Sequence, residues 1–489
     1  MWHGTTMESE QSRFPLIAWI SLIVAGLTAF WPTVWFDFVN WDDPAYVWYN
    51  DLIKSWSPAS LAGVATETVT RNYAPLTIFS LLIDHTLWGM NPSGYHATNV
   101  LLHLINGVLV AMLMRQLTGS RFVAWVTAAL FLVHPVQIET VAWISSRKGL
   151  LSASFMLAAL IARLRPEPRA ADDGWYILWL IAALLSKALA VVLPAIVLCY
   201  DLWVRRQKFS DALVRQMIPG TLCLLLLLKT MGAQNTILGG VRSHMELSLP
   251  QILAVDMTIL SRYIGMLLWP ANLCVLYNPP TSGIWLQVLA ATLGWGVFAG
   301  LAWRARQNNP LIWIALASFL LLLFPVLNFF RITTLMNDRY LYLPCISVFG
   351  LLAGGLQRLL LAGERHAEDI VRLLTRSAKW TAALLAVGGA LQATTLHLPV
   401  WQNSMSLWTH AKSRQPDLAV VRIQMAWTLH DLGQRREGIR ELQRALTQCN
   451  PDQLDRQRIH SAIEDWSAEL VQQNQELLQA THDAVSTRR

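Results

Sequence analysis

Asp42 and Asp43 are adjacent carboxylates in the stretch Asn40-Trp41-Asp42-Asp43-Pro44-Ala45-Tyr46, shortly after an apolar run from Phe14 to Phe36. An ionisable group near lipid is costly unless it faces water or does chemistry. The chemistry open to a carboxylate here is general-base work, taking a proton from an attacking hydroxyl. Other polar residues recur at the ends of the apolar runs. Arg71, Tyr73, Asp84, His85 and His96 lie between the first two runs, and His134, Glu139, Arg147 and Lys148 between the third and fourth. Lys187 stands between two short runs, and Arg331, Asn337, Asp338, Arg339 and Tyr340 precede the tenth. Carboxylates, cations and imidazoles on one face suit an anionic, lipid-borne substrate. The cations would take a phosphate, and the carboxylate would activate a nucleophile. Each residue alone has a plainer reading: a helix-end Lys or Arg snorkels, His134-Pro135 stops a helix, and Asp338-Arg339 pair locally. End-caps would be shared between both faces, so the topology decides between the readings.

The elements that position these residues are membrane helices. The chain has 489 residues, 54% hydrophobic and 14% charged, against roughly 25% charged in a soluble domain. An all-α polytopic fold is predicted, with about eleven spans at 15–36, 95–115, 121–134, 149–163, 175–186, 188–203, 213–231, 284–303, 310–327, 340–361 and 378–396. The short pair 175–186 and 188–203 reads as a hairpin of broken helices around Ser186-Lys187. The first run lacks a small-x-small cleavage site and reads as an uncleaved anchor. The net charge of +7 is dispersed over loops, and the 23 Trp fit interfacial belts. No nucleic-acid partner is expected. The five cysteines, Cys199, Cys223, Cys274, Cys345 and Cys449, form no CxxC and read as small hydrophobes without a metal role.

Orientation follows from the basic loops. Arg13, Arg115 with Arg121, Arg163 to Arg169, Arg205 to Arg215, Arg304 with Arg306, and the cluster from Arg358 to Lys379 all fall on one side, the cytoplasm. That alternation requires 251–269, with Asp256 and Arg262, to be an interfacial helix rather than a span. The carboxylates, the cation and His set, and the C-terminus then lie outside. The expected setting is a bacterial inner membrane, with a cytoplasmic N-terminus and a periplasmic tail. Two domains result: 1–400 in the membrane, with a first outer loop at 37–94, and a helical tail at 401–489. In the tail, Ala426-Trp427, Leu429, Leu432-Gly433, Gly438-Ile439, Leu442, Ala445-Leu446 and Pro451 follow the tetratricopeptide pattern of about 34 residues. A single repeat cannot bury its own face and must lean on neighbours.

An ordered series of short motifs carries a resemblance. It comprises Phe38-Val39-Asn40-Trp41-Asp42-Asp43, Arg71-Asn72-Tyr73-Ala74-Pro75-Leu76, Asn91-Pro92 through Tyr95-His96 to Asn99 and His103, His134-Pro135 with Glu139, Val141 and Arg147, Ser186-Lys187 with Pro194, and Asp338-Arg339-Tyr340-Leu341-Tyr342-Leu343-Pro344. The chain resembles GT-C superfamily membrane glycosyltransferases, in particular the tetratricopeptide-containing transmembrane O-mannosyltransferases and their bacterial relatives. Asp42-Asp43 with Tyr46 also looks like the Asp-Glu-x-x-Tyr stretch of protein O-mannosyltransferases and aminoarabinose transferases.

The resemblance implies a GT-C fold and sugar transfer from a polyprenyl-phosphate carrier to an acceptor on the outer face. Inversion needs one carboxylate as base. By the same resemblance Asp42 takes that role, and Asp43 orients it or contacts the acceptor. Like charges side by side push their titrations apart. Arg147, Lys187 and Arg339 are the candidates for the leaving phosphate. Arg71, Tyr73, Asp84, His96, His134, Glu139, Asp338 and Tyr340 are supporting candidates. The tail is shorter than the repeat arrays of most such relatives, and Lys187-Ala188 stands where Lys-Glu is expected. The acids are adjacent rather than Asp-x-Asp, so a metal-independent monosaccharide donor and no cofactor are expected. The acceptor expected is a Ser or Thr of a secreted or pilin-like protein, engaged by the tail. A lipid or polysaccharide acceptor is the alternative, and a flippase for a lipid-linked substrate or a non-catalytic scaffold are the alternatives of other classes.

Overall fold

The computed structural model describes residues 14–70, 72–167, 169, 171–234, 247–306, 309–329, 334–364 and 369–486. Regular structure among the described residues is helical, apart from one isolated antiparallel bridge between Val69 and Asn72. Helix α1 (Leu16–Phe30) is apolar along its whole length and gives way at Pro32 to a 3-10 turn, Trp31–Trp35. Three short elements then form a cap: a turn at Pro44–Trp48, α2 (Pro58–Thr66) and α3 (Pro75–Trp88). Helix α4 (Pro92–Thr118) is started by the Asn91 side chain, which accepts from Ser93 N, and is stopped by Gly119 at φ 67°. Helix α5 (Arg121–Val133) is capped by Ser120 and ends at His134-Pro135. The short α6 (Ile138–Ala142) leads to α7 (Arg147–Arg163) and α8 (Asp172–Ser186). The bundle continues with α9 (Leu193–Trp203), α10 (Phe209–Arg215), α11 (Met217–Gln234), α12 (Leu249–Leu268), α13 (Trp285–Ala305), α14 (Pro310–Leu323), α15 (Cys345–Glu364) and α16 (Asp369–His397).

Helix α4 is central, packed against α5 and α7, while α7 packs on α8 and α5 on α15. The close α1–α4–α5 approach depends on small residues. A Cβ on Gly107 would overlap Leu132, and one on Gly26 would overlap Leu104.

Among the described residues six helices are long and apolar enough to cross a membrane, or up to eight if two bent pairs are each one span. Together they mark an integral membrane protein. The sequence-based number of about eleven also counts α8, α9 and α14, which are shorter, and α15, whose apolar stretch is Cys345–Leu359. Helix α12 is one of the six. The interfacial reading rests on the alternation of the basic loops, with Asp256 and Arg262 in support. That carboxylate is buried and accepts from Asn328, from the backbone N at 3.3 Å and from the side chain. One of its two oxygens is therefore paired inside the protein, while the other has no hydrogen-bond partner among the described residues.

The tail is four helices: α17 (Ser404–Arg414), α18 (Ala419–Asp431), α19 (Arg435–Gln448) and α20 (Gln453–Ser486). The expected hairpin is α18–α19, turned at Gly433 with φ 77°. Gly438 lets the two helices meet, since a Cβ there would lie 3.0 Å from the Ala426 carbonyl oxygen. The hairpin shares a small core with α20 through Ala426, Leu442, Ala445, Ile459, Ala462 and Trp466. Leu407, Trp408, Val421 and Met425 belong to the bundle's own core. The composition changes near 401, but the packing runs through it. The tail therefore sits at the same end of the bundle as Asp42.

Candidate active site

The site is assembled where the loop after α1 meets the start of α7. Pro44 opens a five-residue π-turn, and the Asp42 carbonyl accepts from Ala45 N and Tyr46 N, both at 3.0 Å. Such turns re-aim side chains and recur at functional sites. Here the turn sends the two carboxylates to different surroundings. Asp43 is 1% exposed. Its Oδ2 accepts from Val39 N at 3.0 Å, and its Oδ1 accepts from Ser145 N at 3.0 Å and from the Ser145 hydroxyl. Burial raises the Asp43 carboxyl to about 6, against the lowering effect of those donors. Of the two roles expected for Asp43, this geometry fits orienting its neighbour.

Asp42 keeps 29% of its side chain exposed, and its Oδ2 lies 3.3 Å from Lys148 Nζ. Lys148 also donates to the Tyr46 hydroxyl at 3.2 Å and sits 4.4 Å from the centre of that ring. Lys187 occupies the break after α8 in extended backbone, with φ −162° and ψ 133°. Its ammonium lies near Gly149 of α7, 3.9 Å from where a side chain there would begin. Among the described residues that ammonium has no hydrogen-bond or ion-pair partner. Burial, then repulsion from Lys148 and Arg339, lowers it to about 7.

Arg339 completes the group. Its backbone N donates to Glu139 Oε2 at 2.9 Å, and its guanidinium pairs with Glu139 Oε1. The guanidinium lies 5.3 Å from the Trp143 ring centre and 5.2 Å from that of Tyr340. Glu139 is fully buried and so holds Arg339 rather than facing a substrate. Asp338 is buried beside it, with Tyr277 donating its hydroxyl proton. Burial first, then the nearby Glu139, pushes Asp338 well above the usual carboxylate range. Asp42, Lys148, Lys187 and Arg339 are thus near one another, with more positive than negative charge.

Several sequence candidates are placed elsewhere. Arg147, expected on the phosphate, is fully buried and pairs with Asp84 at 2.7 Å. It also donates to the Tyr95 carbonyl at 2.8 Å and to Asn99. The cation that faces Asp42 is its neighbour Lys148. His134 has both ring nitrogens engaged, by the Leu267 carbonyl at 3.2 Å and Val136 N at 3.2 Å, so it holds the turn after α5. His96 is buried against Phe36. The Tyr73 hydroxyl donates to the Ala65 carbonyl at 2.8 Å, with Lys229 Nζ 3.7 Å from its ring centre. The Tyr340 hydroxyl is 3.1 Å from that of Thr334. Arg71 and Arg331 lie outside the described residues. Ser145, Tyr277 and Trp143 were not singled out from sequence. No charge or motif marks them, and only their distance to Asp43, Asp338 and Arg339 gives them a role. Among the described residues no three His, Cys, Asp or Glu side chains converge to hold a metal ion.

No family model matches the chain. Protein O-mannosyl-transferase TMTC1 of Mus musculus is 33% identical over 174 residues, 32% of this chain and 18% of that protein. Tmtc1 of Drosophila melanogaster is 36% identical over 132 residues, 26% of this chain and 15% of that protein. The chain thus spans less than a fifth of the length of either relative. A crystal structure of ArnT from Cupriavidus metallidurans bound to undecaprenyl phosphate aligns over 84% of this chain and 81% of that one, at 14% identity and TM-score 0.44. The oligosaccharyltransferase of Archaeoglobus fulgidus, tethered with an acceptor peptide, aligns over 80% and 55%, at 12% identity and TM-score 0.47. Over about a third of its length, this chain is a sequence relative of the transmembrane protein O-mannosyltransferases.

Proposed function

We propose that this protein is a GT-C-type glycosyltransferase that moves a monosaccharide from a polyprenyl-phosphate carrier to an acceptor hydroxyl at the outer membrane face. The observation that carries the reading is the partly exposed Asp42 carboxylate paired with Lys148, close to a second ammonium, Lys187, that has no hydrogen-bond or ion-pair partner among the described residues. An unmatched cation in a sheltered position asks for an anion, and a phosphate monoanion or diester supplies it. Lys148 and Arg339 flank that position and are themselves anchored, so they stabilise charge that develops during reaction without rearranging.

In the proposed reaction Asp42 takes the proton of the acceptor hydroxyl as its oxygen bonds to the anomeric carbon. The bond from that carbon to the phosphate oxygen breaks, and the electron pair leaves with the polyprenyl phosphate. Lys187, Lys148 and Arg339 hold the departing anion. Attack opposite the leaving group inverts the anomeric centre. Asp43, fixed on Ser145 and Val39, keeps the turn that aims Asp42. A Ser or Thr of a secreted protein is the proposed acceptor, because the helical tail stands next to Asp42 and offers a surface for peptide. The bacterial inner membrane and a periplasmic site complete the proposal.

The test uses purified protein in liposomes, radiolabelled polyprenyl-phosphate mannose and a periplasmic protein extract with membrane lipids. Label in alkali-labile form on protein is the expected result. Label only on lipid would replace the acceptor class, and no transfer to either would refute the reaction.

A further inference from the structure

The structure assigns the C-terminal tail a second role, in which a latch of Asn40 and Trp408 positions the Asp42 carboxylate. The inference rests on the proposed base role of Asp42. Asn40 is buried, and its side-chain amide nitrogen and oxygen are both engaged by the tail. Its amide nitrogen donates to the Gln424 carbonyl at 3.2 Å and to the Thr428 hydroxyl at 3.0 Å, both on α18. Its amide oxygen accepts from Trp408 Nε1 on α17. Its backbone N donates to the Ser404 hydroxyl at 2.9 Å. Three residues earlier, Asp37 N donates to the Gln402 carbonyl at 2.9 Å. Between Asn40 and Asp42, the Trp41 ring meets the Trp408 ring edge-on at 5.3 Å.

Residues 36–39 of this loop carry no regular structure of their own. Their course is therefore set by what they bind, and on the N-terminal side of Asp42 most of that is tail. On the C-terminal side the anchor is Asp43 on Ser145. Asp42 is held between these two fixed points, only one of which belongs to the membrane bundle. An amide engaged at both its nitrogen and its oxygen has one orientation, so losing a single partner frees the loop. A base displaced by about 1 Å costs on the order of a hundredfold in rate. Asn40 and Trp408 are thus positioning residues, and the tail is part of the catalytic scaffold.

The test uses the full chain in detergent or liposomes. Trp408→Phe keeps the ring and removes the donor; Asn40→Ala removes the whole latch. Both are expected to lower kcat tenfold or more with polyprenyl-phosphate mannose while leaving its KM unchanged, and to combine non-additively. Amide exchange at Asp37 and Asn40 should quicken about tenfold. Leu442→Ala, in the separate α18–α19–α20 core, should leave both readouts at wild type. If Trp408→Phe fails to fold, Thr428→Val replaces it, with about a threefold loss expected from one lost bond. Unchanged exchange in the latch variants, or kcat within twofold of wild type, would overturn the latch. An inactive Asp42→Asn beside fully active latch variants would spare the base role and reject the latch alone. The exchange measurement needs no substrate, so it judges the latch independently of the chemistry.

Discussion

Helix α7 has a cluster of charge at each end, and the two clusters are built from similar residues to different purposes. At the C-terminal end, Arg163 pairs with Asp201 at 2.6 Å and with Asp173 at 3.4 Å, Arg205 pairs with Asp201 at 3.0 Å, and Arg165 with Asp172 at 3.3 Å. Arg205 also donates to the carbonyls of Arg163 and Arg165. Every cation there has an acid, and the network closes on itself. At the N-terminal end, about 24 Å away at 1.5 Å per residue, Lys148, Lys187 and Arg339 face Asp42 and Glu139. Burial, then the nearby Glu139, pushes the Asp338 carboxyl well above the usual carboxylate range. That cluster stays open by one cation. A closed network positions helices, whereas an open one asks for a ligand.

Substitutions should separate the two ends by kind as well as by size. Lys187→Met removes the unmatched cation and is expected to weaken undecaprenyl phosphate binding by about a hundredfold, the loss of one charge-assisted contact. The thermal midpoint should stay level or rise. Asp201→Asn at the closed end should do the reverse, leaving the buried Arg163 and the part-buried Arg205 short of a partner. It is expected to cost about 3–5 kcal/mol of stability with phosphate affinity unchanged. Equal effects of the two variants on binding would remove the contrast. Arg147→Met tests the corrected assignment within the open end, because Arg147 forms its own closed pair with Asp84. It should behave like the Asp201 variant, as thermal denaturation beside a binding titration will show.

The same contrast has a pH signature. Lys187 titrates near 7 in the folded protein, far below its unfolded value. Between those two pH values the unfolded chain binds more protons, so this group's contribution to stability rises with pH across that window. Phosphate binding has the opposite sign, because it needs the cation, and affinity should fall as pH rises through about 7. Lys187→Arg should flatten the fall. Asp43 gives a smaller effect. Its folded value near 6 lies above its unfolded one, so its contribution is fully present below about pH 4 and is lost as pH rises to about 6. Ser145→Ala removes one donor from Asp43 and should cost about 1–3 kcal/mol in a chemical denaturation series.

What was legible in the sequence follows from how local each feature is. The break at Lys187 and the helical hairpin of the tail are written in neighbouring residues, and both are found where expected. The division of labour inside adjacent pairs was not legible. Asp42 against Asp43, and Arg147 against Lys148, differ only in which way the backbone turns them, about 100° per residue on a helix. That direction is set by packing against Asp84, Asn99 and Ser145, which are distant in sequence or unremarkable in type. Glu139 and Arg339 are 200 positions apart, and nothing local tells an ion pair from two substrate ligands. Asp256 of α12 is a similar case, since its partner Asn328 is 72 positions away in the chain.

The central claim is that the two neighbouring acids have different roles, with Asp42 touching the substrate and Asp43 holding the turn. It is tested most directly by single-turnover transfer from radiolabelled polyprenyl-phosphate mannose by Asp42→Asn, beside a titration of undecaprenyl phosphate on the same preparation. Transfer is expected to fall by at least about a thousandfold, with carrier binding and thermal midpoint held at wild type. Transfer at the wild-type rate in Asp42→Asn would contradict it.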